Sequence, residues 1–145
     1  MKKTAAFAGM ILWSLFFLTG CRFIRIEEEP RMPLEYSIVK PEELPAELEA
    51  LILEKRAKEF QLTYQSEKEM FLIKGYGQQM SGGYSIQVEE LGVTSEAIFF
   101  RTKLIGPSDE KIQLSPPSYP YIAVKMAYRK EPVIFEEIFG DSGNS

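Results

Sequence analysis

The sequence predicts an α+β fold: a single mainly antiparallel β domain, a sandwich or half-barrel, with one packed N-terminal helix, preceded by a signal peptide. Three observations predict it. Short runs of alternating or β-branched residues recur from Phe60 onward, separated by glycine and proline. Only one stretch after the first twenty residues, Pro45 to Glu59, repeats its apolar positions at helical spacing. The chain also opens with two lysines followed by a charge-free run from Thr4 to Leu18.

That opening reads as residues 1–20 of a secretory leader. Lys2 and Lys3 form the basic n-region, the apolar run has the length of an h-region and is short for a membrane span, and small residues precede Cys21. Leu18-Thr19-Gly20-Cys21 resembles the lipobox of bacterial lipoproteins. That resemblance implies a diacylglyceryl group on Cys21 and a protein held at the extracytoplasmic face of a bacterial membrane. A two-chain lipid holds firmly where one acyl chain does not. Cys21 is the one cysteine, so no internal disulfide is available. Removal of the leader leaves 15 basic residues against 21 acids. A net charge near −6 argues against nucleic acid and against an electrostatic grip on anionic lipid.

Residues 21–33 are charged and proline-punctuated, and read as a spacer. The run Glu27-Glu28-Glu29 suits a solvated linker better than a cation site. The globular domain is expected over 34–138. Leu34 to Val39 fits a first strand, ended by Pro41.

In the helix, Leu44, Leu48, Leu51 and Ile52 make one face, expected to pack on the domain's own sheet. Pro45 suits its start, Glu47 and Glu49 suit the positive end of its dipole, and Lys55, Arg56 and Lys58 suit the other. Phe60–Tyr64 and Met70–Lys74 form a hairpin through a turn at Ser66–Glu69.

A glycine-rich loop, Gly75 to Tyr84, follows, and a half-buried strand leaves it at Ser85. Gly82 and Gly83 are expected to supply backbone angles that a β-carbon forbids. Further strands are expected over Glu96–Leu104, Tyr119–Met126 and Val133–Phe135, with residues 139–145 as a loose tail. Pro120 belongs at a strand start, and trans is the default for its bond to Tyr119. Ile86, Val88, Ile98, Phe100, Ile122 and Val124 are the expected core.

Two motifs carry a resemblance. Gly77-Gln78-Gln79-Met80-Ser81-Gly82-Gly83-Tyr84 with its alternating strand, and Ser118-Tyr119-Pro120-Tyr121 leading into the next, resemble the PrcB C-terminal domain family, over residues 70–128. Ser81 stands where threonine is common in the family. The resemblance implies a non-catalytic accessory of an envelope protease complex, and it brings no catalytic residues or cofactor.

The composition agrees with a non-enzyme. With no histidine, a Ser-His-Asp triad, a Cys-His pair and a histidine zinc site are excluded. A Ser81–Lys74 dyad lacks an orienting group, and no spacing suits a paired-carboxylate, metal or dinucleotide site. The expected partner is an envelope protease or another surface protein. Its contact residues are expected at Gly77, Ser81, Gly82, Gly83, Tyr84, Tyr119, Pro120 and Tyr121, where two loops carry tyrosines beside glycine or proline. A small β-fold protease inhibitor is the alternative.

Overall fold

The computed structural model describes residues 29–109 and 114–138. The expected leader, Cys21, the first part of the spacer and the tail from 139 lie outside the described residues. Among the described residues eight strands form: β1 (Met32–Pro33), β2 (Ser37–Ile38), β3 (Glu59–Ser66), β4 (Glu69–Tyr76), β5 (Ser85–Val93), β6 (Ile98–Ile105), β7 (Tyr121–Ala127) and β8 (Val133–Glu137). They make two four-stranded sheets, ordered β1-β5-β6-β8 and β2-β7-β4-β3. All pairings are antiparallel except β6 with β8.

Met70, Leu72, Ile122, Val124 and Met126 of the second sheet pack on Leu91, Val93, Ile98 and Phe100 of the first, with Ile86 and Val88 at the margin. All six expected core residues therefore belong to this interior. The architecture is a sandwich, not a half-barrel. Phe100 is fully buried and meets Phe135 edge to face, with ring centres 5.8 Å apart.

The other face of the second sheet carries the helix α1 (Ala46–Lys55). Leu44, Leu48 and Ile52 bury against Phe71, Ile73 and Ala123. The alternation of β4 thus sends even positions between the sheets and odd positions to the helix, which is why its sequence reads as an uninterrupted apolar run.

Two details depart from a simple reading of the pattern. A bulge between Val88 and Glu90 flips the alternation of β5. Ile86 and Val88 face inward before it and Leu91 and Val93 after it, so Glu90 escapes the core. The segment Leu34–Val39, expected as one strand, is split: β1 pairs with β5 in one sheet and β2 with β7 in the other. A strand edge on each sheet attracts the same short segment, and the chain changes sheets between them.

Just ahead of β1, Arg31 lies over the outer face of the first sheet. It binds Glu136 through both terminal nitrogens (2.8 and 3.2 Å), reaches Glu90 at 2.6 Å, and covers the Phe99 ring at 3.7 Å. The two carboxylates hold its guanidinium well above the ordinary arginine range of proton affinity. Gly92 makes room for this arrangement, because a β-carbon there would stand 3.3 Å from that of Arg31. The last residues of the expected spacer are thereby part of the sheet.

Candidate functional site: two crossovers at one end of the sandwich

The glycine loop links β4 of one sheet to β5 of the other, and residues 106–120 carry β6 back to β7. Both stretches singled out by the sequence are therefore crossovers between sheets. They lie at the same end, because Ser85 pairs with Ile105 and Gly75 with Tyr121.

Their backbones meet. The Gln79 N–H donates to the Ser118 carbonyl at 2.8 Å, and the Ser118 N–H returns a bond of 3.1 Å. The Ser118 hydroxyl donates to the Ser81 carbonyl at 2.6 Å, and the Gly82 N–H to the Ser115 hydroxyl at 2.7 Å. Below them the Tyr76 N–H donates to the Pro120 carbonyl at 3.1 Å, and the Gln78 N–H to Ala57 just after α1 at 3.2 Å. These bonds satisfy buried backbone groups of both loops and hold the described parts of the two crossovers against each other.

Within this frame the expected residues divide. Gly77 (φ 75°) and Gly83 (φ 83°) take left-handed backbone angles, while Gly82 does not. Gly77 is buried against the backbone of Lys58 and Glu59, and Ser81 is only 4% exposed. Tyr84 is half-buried near Gly106. Tyr119 lies beneath the Arg56 guanidinium at 4.6 Å, and its bond to Pro120 is trans. Tyr121 packs into the helix-side core, and burial pushes its hydroxyl's proton affinity up. Tyr119, Pro120 and Tyr121 also line a cleft of about 280 Å³ with Ile38, Val39 and Pro41.

Among the described residues at this end, two highly exposed large apolar side chains are ones that sequence reasoning passed over. Met80 is 84% exposed and Leu114 is 89% exposed. They flank the junction, Met80 between Gln79 and Ser81 and Leu114 next to Ser115. Large apolar groups held in water on a pinned loop have the character of contact anchors. The available signal was Met80 itself, an apolar residue amid the small and polar ones of a turn.

Beneath the loops, Lys74 is 4% exposed. Its ammonium is 2.7 Å from Glu59 and 2.5 Å from Glu137, and 5.2 Å from the centre of the Tyr76 ring. The Tyr76 and Thr102 hydroxyls bond across the sheets at 2.5 Å. Burial opposes the charge on Lys74, but hydrogen bonds to Glu137 and Glu59 overcome it and raise its proton affinity. Lys74 is thus a firmly held cation, and the Ser81 hydroxyl donates instead to the Gly82 carbonyl at 3.3 Å. Nothing in this geometry makes the two a nucleophile and base. Among the described residues, no group of three or more histidine, cysteine, aspartate or glutamate side chains is placed to hold a metal ion.

No curated protein and no solved structure matches the chain. Residues 70–127 match the family model described as PrcB C-terminal. That range runs from the start of β4 to the end of β7 and contains both crossovers, whereas β1–β3, α1 and β8 lie outside it. The segment from Met70 to Ala127 therefore belongs to the PrcB C-terminal family, as its two motifs led us to expect.

Proposed function

We propose that this chain is a lipid-anchored, non-enzymatic accessory protein of the bacterial cell envelope, and that it binds a partner protein, a surface protease complex or one of its components, through the two crossovers. One observation carries the reading. The loops are locked to each other through Gln79, Ser81, Gly82, Ser115 and Ser118, yet they hold Met80 and Leu114 out in water. Large exposed apolar side chains grouped at one end of a fold mark a protein-contact surface. The family match adds the protease complex as the class of partner, and the Leu18–Cys21 motif adds the anchor.

An inhibitor would instead need a loop that projects into a cleft, and the glycine loop is tied along its length.

The test is a pair of substitutions, Met80→Asp with Leu114→Asp. The doubly substituted protein is expected to keep its melting temperature and to lose capture of the envelope partner seen with the wild type. Capture unchanged in a folded variant would contradict the reading. Separately, Cys21→Ser is expected to release the protein from the membrane fraction or leave its leader uncut, and retention of a lipid label would contradict the anchor.

A further inference from the structure

The group formed by Lys74, Glu59 and Glu137 is built from three strands of both sheets. Lys74 comes from β4, Glu59 from the start of β3 and Glu137 from the end of β8. One ammonium touches both carboxylates, so their oxygens lie within about 5 Å of each other, close enough for like charges to oppose joint ionisation. Among the described residues, the Tyr76 ring from β4, the Thr102 hydroxyl from β6 and the Ile122 side chain from β7 also face this space, and none of the three adds a charge. Fully ionised, the group carries one excess negative charge next to a core in which Thr102 and Lys74 are almost closed to solvent.

We infer that Glu59 and Glu137 form a one-proton site, and that taking up this proton tightens the hold of β8 on the opposite sheet. The proton comes from solvent and binds a Glu137 carboxylate oxygen. Glu137 then donates it in a hydrogen bond to Glu59, while Lys74 balances the charge left on Glu59. β8 has only five residues and pairs with β6 alone among the described strands, so the ion pair of Glu137 with Lys74 adds a polar cross-sheet tie to the packing of Val133 and Phe135 on the core.

The electrostatic balance has the matching sign. Burial, then the hydrogen bond with Glu59, pushes the Glu137 carboxyl up, against the pull of Lys74. The hydrogen bonds from Glu137 and then Lys74 hold Glu59 down. A raised carboxyl takes its proton in the folded state before the unfolded chain does. Its contribution to stability is therefore complete below the unfolded value and is lost as pH rises through the folded value. The opposite trend from Glu59 begins only in stronger acid.

The test is carboxyl-carbon NMR titration of Glu137 and Glu59 in the intact protein, assigned through bonds, with urea unfolding from pH 8 to pH 5 for the wild type and Glu137→Gln. Glu137 is expected to titrate above the ordinary 4.5. The wild-type urea midpoint should rise toward acid relative to that of Glu137→Gln. A Glu137 midpoint at or below 4.5, or identical pH profiles for the two proteins, would overturn the inference. The titration decides alone should the variant not fold.

Discussion

Gln79 and Ser118, on different crossovers, pair as a single two-bond β-bridge. The contact converts two long connections into one surface, and Ser118 reinforces it by donating its hydroxyl to the Ser81 carbonyl. Ser118→Ala removes that bond while leaving the backbone bridge intact. We expect a loss of about 1 kcal/mol in a denaturant titration, together with faster amide exchange at Gly82 and Gln79. Exchange unchanged at both amides would show that the side chain does not hold the loop.

Phe100 is the largest fully closed side chain of the inter-sheet core. Phe100→Ala should cost about 3–5 kcal/mol, because it removes the contact with Phe135 and leaves a cavity between sheets. A loss below about 1 kcal/mol would place the residue outside a packed interior.

Gly77 combines a left-handed backbone angle with a β-carbon direction that meets the Glu59 nitrogen at 3.0 Å and the Lys58 carbonyl carbon at 3.1 Å. Both neighbours are backbone and cannot swing aside. Gly77→Ala should therefore destabilise the domain by about 1–3 kcal/mol. Gly83→Ala, strained by its angle but exposed, should cost less in the same urea titration.

Arg31 makes three hydrogen bonds to two carboxylates and covers Phe99. Its fork geometry is not matched by an ammonium. Arg31→Lys should thus behave more like Arg31→Ala than like the wild type, each losing about 1–2 kcal/mol and protection of the amide at Leu34, which bonds to Leu91. Full rescue by lysine would reduce the contact to simple charge pairing.

Local periodicity made much of this fold legible. The stripe Leu44, Leu48, Leu51, Ile52 announced a helix with one buried side, and the alternation from Phe60 followed by the apolar run from Met70 announced a hairpin, which forms over Glu59–Tyr76. The core positions of β6 and β7 followed from period two. What stayed hidden depends on distant residues. Nothing local in Leu34–Val39 says that its two ends pair with different sheets, and nothing beside Glu89 marks the bulge. Lys74 reads as the polar end of an apolar run until Glu137, far along the chain, arrives beside it. At the candidate site, the sequence identified the right loops but favoured their tyrosines and Ser81. The bridge at Gln79 turns Ser81 inward and leaves Met80 outside, and that division arises only once the second loop is in place.

Photo-crosslinking in intact cells decides whether a partner binds at the crossover end. A photoreactive amino acid would be placed singly at Met80 and Leu114, and for comparison at Glu67 in the β3–β4 turn and Ser95 in the β5–β6 turn, both at the opposite end. Met80 and Leu114 are expected to give a crosslink to the same envelope protein, a protease subunit by mass spectrometry, while Glu67 and Ser95 do not. A partner captured equally well from Glu67 and Ser95, or from neither Met80 nor Leu114, would contradict binding at the crossover end.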